Sequence, residues 1–414
     1  MAGLGWVGML VVLVFDPTGG WAWLAAWFLL HDGVTQGLVC WLNRDLVQPG
    51  SDPSRAPSEQ DGLRLAVIVA AHNEAAVLPT TIAGLRAQSR LPDLIVIADD
   101  GSTDATAQVL GDRFGLVAEE TGEIGEVSAQ VPGLRWMRLA HGGKAAALNA
   151  AIAVVDADIV LTVDADTWLE PGALQAVVGA FAADARLVAA TGVLTPVCAP
   201  TSTGRLLQWF QQHEYLRNFM ARRAWMNLGG LLLISGAFAA FRCGPLREVG
   251  GFDTDCLVED YEVIHRLRRV GAQRRLGWRT AVLGDAQART EAPATVMAFL
   301  RQRRRWYAGF LQTQWWYRDM VGARRYGAVG TRMLPLKALD TVQPLIGLSS
   351  WSMLLWSVAR GRLSLAVVIA SCVGAKALFD LACQAWLWRG HRRWREGTGS
   401  DAGDLTLAGT LLTA

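Results

Sequence analysis

With 414 residues, the chain is long enough for a full catalytic domain and something more. A formal net charge of +2 argues against a nucleic-acid partner, while 52% hydrophobic residues and a mean hydropathy of +0.24 are high for a purely soluble enzyme and point to membrane segments. Lysine occurs only at 144, 337 and 376, and the cysteines at 40, 198, 243, 256, 372 and 383 form no C-x-x-C pair, so they read as free thiols of a reducing compartment.

Residues 1–15 carry no charge, Asp16 to Gly20 reads as a turn, and 21–42 is Trp-rich and apolar. No basic stretch precedes the first apolar run, so 1–43 is expected to be a membrane anchor, as one long span or a tight hairpin, rather than a cleaved signal. Pro, Ser, Asp and Arg residues make 44–62 a linker. From 63 to 300, short apolar runs alternate with helical stretches, the pattern of a mostly parallel α/β sheet. The expected strands are Leu65–Ala70, Leu94–Ala98, Trp136–Leu139, Ile159–Val163 and Leu187–Thr191. The expected helices are Glu74–Ala87, Asp104–Leu110, Lys144–Val154 and Gly172–Ala182.

Chemistry gathers where these strands end, which in an open α/β sheet is where ligands bind. The first strand runs into His72-Asn73-Glu74, where Asn73 also suits a helix cap. The second ends in Asp99-Asp100-Gly101-Ser102-Thr103-Asp104. Asp, Gly and Ser make a turn and Thr103 or Asp104 suits a cap, but the adjacent Asp99 and Asp100 have no such explanation, and a carboxylate there can accept hydrogen bonds from a base or ribose. His141-Gly142-Gly143-Lys144 opens a helix: its glycines allow close backbone approach to an anion, and Lys144 adds charge without the spacing of a P-loop. The strand Ile159–Val163 stops on Asp164-Ala165-Asp166, a carboxylate pair whose mutual repulsion a hard divalent cation would relieve.

These four clusters, in this order, resemble the family 2 inverting glycosyltransferases with a GT-A fold, a Rossmann-like, mostly parallel sheet. The resemblance implies that Asp164-Ala165-Asp166 is the D-x-D motif, with Asp164 and Asp166 holding Mg²⁺ or Mn²⁺ against the diphosphate of a nucleotide sugar. It implies that Glu74 and Asp99, with Asp100 beside them, contact base or ribose, and that Lys144 helps bind the nucleotide. Downstream, Val258-Glu259-Asp260 resembles the family's T-E-D, which makes Asp260 the general base and places Glu259 in the acceptor site; valine stands where the family has threonine. Gln302, Arg305 and Trp306 fit Q-x-x-R-W. That motif offers a guanidinium fork for phosphate and a flat ring for a sugar, within an Arg- and Trp-rich interfacial segment, 301–332. In the cellulose, hyaluronan, chitin and poly-N-acetylglucosamine synthases that the chain resembles, this motif accompanies polymer extension.

A transmembrane hairpin is expected at 333–390, with spans at 341–359 and 363–388 and the pairs Lys337–Asp340 and Lys376–Asp380 facing the protein. Arginine-rich flanks on both sides place the catalytic domain and the tail, 391–414, in the cytoplasm of a multi-pass inner-membrane protein. The expected activity is transfer from a UDP-linked donor to a growing β-linked polysaccharide. The alternative is transfer of a single sugar to a polyprenyl phosphate or glycerolipid. The expected partners are the nucleotide sugar, a polysaccharide or lipid acceptor, membrane lipids and an export partner or second copy of the chain, with no nucleic acid.

Overall fold

The computed structural model describes residues 20–46, 62–361 and 363–397, so the expectations for 1–15, for most of the linker and for the tail beyond 397 lie outside the described residues. In chain order the helices are α1 (Gly20–Leu42), α2 (Leu78–Arg86), α3 (Thr106–Phe114), α4 (Lys144–Val154), α5 (Ala173–Ala183), α6 (Ser202–Asn227), α7 (Cys243–Glu248), α8 (Glu259–Gln273), α9 (Val296–Trp316), α10 (Leu334–Ala359) and α11 (Leu363–Gly397). The strands are β1 (Leu65–Ala71), β2 (Leu94–Asp99), β3 (Leu134–Arg138), β4 (Ile159–Asp164), β5 (Thr167–Leu169), β6 (Leu187–Val197), β7 (Phe238–Arg242) and β8 (Arg279–Glu291).

One eight-stranded sheet runs in the order β3-β2-β1-β4-β7-β6-β8-β5. Strands β1 to β4 are parallel, as expected; β7 enters antiparallel to both β4 and β6, while β8 is parallel to β6 and antiparallel to β5. The near-continuous apolar run of β1 follows from burial on both faces. Leu65, Val67 and Val69 join α2, α3 and α5 in one core, and Ala66 and Ile68 join α4, α7 and α8 in another. A third core lies against β6 and β8, where Val193 and Val282 of the sheet meet Val39 of α1, Phe219 and Met220 of α6, Tyr317, Met333, and Leu387 of α11.

The segment expected to be a transmembrane hairpin folds as two long helices, α10 and α11, which pack on each other and on α1. Among the described residues no helix is long and apolar enough to cross a membrane. Both polar pairs form: Lys337 Nζ lies 3.1 Å from Asp340, and Lys376 bonds to Asp380. At the end of α1, buried Asn43 donates to the carbonyls of Val39 and Met220, and Arg223 forks onto Asp45. These bonds fasten α1 to α6.

Candidate active site

Strand register does the first positioning. Ala71 of β1 pairs with Asp99 and Ala70 pairs with Asp164, so the carboxylates ending β2 and β4 flank β1 at one edge of the sheet. The turn after β4 is pinned by Thr81 of α2, whose hydroxyl donates to the Ala165 carbonyl at 2.6 Å. Thr290 of β8 and Thr167 each donate to Asp166 Oδ1 at 3.3 Å.

Asn73 takes a left-handed backbone (φ 59°), a conformation asparagine tolerates, and turns its side chain across the edge of the sheet. Its Oδ1 accepts from the backbone N–H groups of Thr103 and Asp104 at 2.8 and 3.2 Å, so it stitches the β1 loop to the β2 loop rather than capping its own helix. The aspartates that lacked a structural explanation in the sequence have one here. Buried Asp99 accepts from the Ser102 N–H at 2.9 Å and the Trp136 indole at 3.3 Å. Asp100 accepts from the N–H groups of Gly142 (2.7 Å) and Gly143 (3.0 Å), which fixes the glycine turn that starts α4. Gly143, at φ 89°, supplies the backbone angle that this turn needs.

The turn delivers Lys144 into a group of carboxylates. Its ammonium bonds to Asp164 Oδ1 and lies 3.8 Å from Glu259 Oε1. Burial alone would pull the lysine down, but Asp164, Glu259 and Asp260 outweigh it and hold its pKa above the ordinary lysine value. The surrounding acids move the other way. Burial, then the charge of Asp164, pushes Asp166 up to about 6 despite Lys144. Burial and the charges of Asp166, Glu291 and Asp164 push Glu74 up to about 7. Burial also raises Glu259, against the pull of Lys144. Negative charge at this edge thus exceeds what Lys144 offsets. Asp164 and Asp166 offer oxygen ligands alone, the donor chemistry that suits Mg²⁺ or Mn²⁺.

Asp260 faces the same group from the start of α8. Its Oδ2 accepts from the Gly236 N–H at 2.7 Å, and its Oδ1 from the Tyr261 N–H at 2.9 Å. A side chain at 236 would bring a Cβ to 3.0 Å from both the Cβ and Oδ2 of Asp260, so glycine gives the carboxylate room to approach this closely. The other nearby acid has structural work: Glu262 pairs with Arg266 and accepts from the Tyr317 hydroxyl. Burial lowers the pKa of Arg222 of α6 against the pull of Asp260, and among the described residues its Nε has no hydrogen-bond partner.

Helix α9, which carries Gln302, Arg305 and Trp306, braces this acidic turn from behind. Gln312 accepts from the Leu257 N–H at 3.0 Å and donates to the Asp255 carbonyl at 2.9 Å, and Arg305 donates to the Leu257 carbonyl at 3.4 Å. Val258 sits against Gly309, where an added Cβ would come within 2.4 Å of its Cγ2. The structure therefore brings Glu74, Lys144, Asp164, Asp166, Glu259 and Asp260 into one electrostatic group. Among the described residues, Arg305 hydrogen-bonds to the turn that carries Glu259 and Asp260. Trp306 is stacked by the Arg303 guanidinium, 4.2 Å from its ring centroid, and packs toward the third core. Among the described residues, buried Gln302 Oε1 has no hydrogen-bond partner. Thr81, Gly236, Gly309 and Gln312 had no signal in the sequence, because each acts through a contact distant along the chain.

A mostly parallel sheet with an antiparallel strand inserted beside β4, and acids gathered at its carboxyl edge, defines the GT-A class. The comparisons with known proteins agree. A family model described as "Glycosyl transferase family 2" matches residues 66–250, and one described as "Glycosyl transferase family group 2" matches residues 159–373, over half of the chain. This protein belongs to the family 2 glycosyl transferases. Among curated relatives, poly-beta-1,6-N-acetyl-D-glucosamine synthase of Staphylococcus aureus (strain COL) is 28% identical over 243 residues, 58% of this chain and 53% of that protein. The synthase of the same name from Staphylococcus epidermidis is 26% identical over 251 residues, 59% and 54% of the two chains. The chain thus spans about half the length of the curated relatives it matches. Among solved structures, the mannosyltransferase PcManGT from Pyrobaculum calidifontis, in complex with GDP-Man and Mn²⁺, shares the fold with a TM-score of 0.60 at 21% identity, over 89% of this chain and 97% of that one.

Proposed function

We propose that the chain is a divalent-metal-dependent, inverting glycosyltransferase that moves a sugar from a UDP-linked donor onto a growing β-linked polysaccharide at the cytoplasmic face of a membrane. The observation that carries the reading is the carboxylate group at the sheet edge, with Lys144 in its midst and Glu74, Asp166 and Glu259 all shifted toward the protonated state. Such an arrangement favours binding of a cation. Asp164 and Asp166 would hold Mg²⁺ or Mn²⁺, which when bound supplies charge stabilisation for a departing diphosphate. Glu74, Asp99, Asp100 and Lys144 form the nucleotide side of the site. Asp260 accepts the proton of the acceptor hydroxyl as the anomeric carbon is attacked, with Oδ2 oriented by the Gly236 N–H. Glu259, Gln302, Arg305 and Trp306 belong to the acceptor and diphosphate side.

Membrane contact is supported by exposed apolar rows. Leu345, Leu348, Trp351, Leu355 and Val358 recur at three- or four-residue spacing along α10, and each is between 54% and 68% exposed. The polymer reading takes its support from the two named synthases and from the Q-x-x-R-W helix. Transfer of a single sugar to a lipid acceptor is the second reading, favoured by the nearness of that apolar row to α9: Tyr307 of α9 donates to the Thr341 carbonyl of α10 at 2.8 Å.

The test is incubation of membranes containing the full chain with a panel of UDP-sugars and Mg²⁺ or Mn²⁺, followed by product sizing. Polymer is expected, and a one-sugar glycolipid as the sole product would replace the first reading with the second. Asp260→Asn is expected to lower sugar transfer by about 10²- to 10⁴-fold, the usual contribution of a general base. Unchanged UDP release in that variant would remove Asp260 from the base role.

A further inference from the structure

His72, Asp100 and His141 form a side-chain group that the proposed reaction leaves unused as a group. The three residues come from the ends of β1 and β2 and from the turn before α4, and each offers one ligand atom within 4.8 Å of the others. The imidazoles lie face to face at 4.5 Å between centroids, tilted by 30°. His141 Nδ1 is 2.9 Å from Asp100 Oδ2. That spacing is a hydrogen bond, and the same Nδ1 lies 3.1 Å from the Asp100 carbonyl, so a metal bound at this nitrogen would replace both contacts. His72 Nδ1 lies 2.8 Å from the Asp100 carbonyl, which can only accept, so its proton sits on Nδ1 and Nε2 keeps the lone pair. A backbone carbonyl on the far ring nitrogen is the usual way a metal-binding histidine is oriented. The Asn73 amide, 3.1 Å from Nε2, is a side chain that can move aside. Both histidines are exposed, the side chain of His141 by 65%, which leaves an entry path, while Asp100 is buried and held by the glycine N–H groups.

The geometry points to a second metal site, in which His72, Asp100 and His141 bind a borderline transition-metal cation such as Zn²⁺. Two imidazoles and one carboxylate are a nitrogen-rich set that Mg²⁺ does not favour, in contrast to the all-oxygen pair Asp164 and Asp166. Asp100 also fixes the turn that presents Lys144, so a cation here would clamp that turn. Resting on the proposed transferase reading, the site would act as an inhibitory Zn²⁺ sensor at the nucleotide edge.

The test is titration of the full chain in detergent with ZnCl₂ under excess MgCl₂, followed by calorimetry, with Co²⁺ visible absorption as a second readout. One Zn²⁺ per chain is expected. Its affinity should fall at least tenfold in His72→Ala and in His141→Ala and persist in Asp166→Asn. The Co²⁺ spectrum should lose its nitrogen-ligand bands in the same two variants, and circular dichroism of each variant shows whether the fold is retained. Should a histidine variant lose the fold, the conservative His141→Asn takes its place. Unchanged Zn²⁺ affinity in folded histidine variants overturns the site, as does loss of binding in Asp166→Asn, which would put the ion on the carboxylate pair. Inhibition of transfer by Zn²⁺, measured within each variant against its own rate, should weaken in His141→Ala. If Zn²⁺ binds as expected but does not inhibit, the metal site stands and the sensor role falls.

Discussion

At the scale of single residues, the site is a contest between burial and charge. Glu74 shows it best, because its carboxyl, half-buried and surrounded by Asp166, Glu291 and Asp164, is pushed from an ordinary 4.5 up to about 7. The folded protein then holds a proton that the unfolded chain has released. Stability from this group is present below about pH 4.5 and is lost as pH rises toward 7. The expected outcome is a fall in the melting temperature of chelator-treated protein between those limits, with a smaller fall in Glu74→Gln, read from paired thermal melts at each pH. Equal slopes for the two proteins would mean that Glu74 titrates normally. Asp99 and Asp100 teach a complementary lesson about what a sequence can show. Their position at a strand end was legible, and so was their acidity. Their hydrogen bonds to Ser102, Trp136, Gly142 and Gly143 were not, because a buried carboxylate holding a turn reads the same as one awaiting a ligand.

At the scale of elements, what was legible follows from burial. Strands β1, β2 and β4 are covered on both faces and therefore spell continuous apolar runs, and each was placed to within a residue. The end of β3 was placed to within a residue and its start two residues late. Strand β8 alternates buried and open positions through Asp, Gln and Arg residues, and β7 is a five-residue segment, so neither announced itself. Helix α6 spans 26 residues rich in Arg and Gln, and its buried stripe packs partly on helices rather than on the sheet. Helix α9 was foreseen as an interfacial carrier of Q-x-x-R-W; its bracing of the acidic turn was not. That bracing depends on a small residue facing a branched one. Gly309→Ala would drive a Cβ into Val258, and overpacking of this kind costs about 1–3 kcal/mol. Val258→Ala should recover part of that loss, so a double-mutant cycle read by thermal unfolding is expected to show coupling of about 0.5–3 kcal/mol. Transfer activity should follow the same pattern, since Val258 directly precedes Glu259 and Asp260. Additive effects would show that α9 and the acidic turn are mechanically independent.

At the scale of the whole molecule, the acids of the site come from segments between Glu74 and Glu291, and only the sheet order brings them together. A path of hydrogen bonds also runs from the apolar helices to the acidic turn. Thr341 of α10 is bonded to Gln314 at 2.7 Å and to Tyr307, both on α9, and two residues before Gln314 the same helix holds Leu257 and Asp255 through Gln312. If α10 lies against lipid, the bilayer sets the position of the helix that braces Asp260. The outward row of Leu348, Trp351 and Leu355, each at least 57% exposed, is where that contact would be made. Burying apolar surface stabilises by about 25 cal/mol per Å², so three such side chains contribute several kcal/mol of membrane affinity. Flotation with liposomes is expected to recover the full chain in the lipid fraction. The triple variant Leu348→Gln, Trp351→Gln, Leu355→Gln should float several-fold less well, and its transfer rate should drop more in liposomes than in detergent. Equal flotation of the two proteins would move the lipid contact to another surface and break the proposed link between bilayer and base.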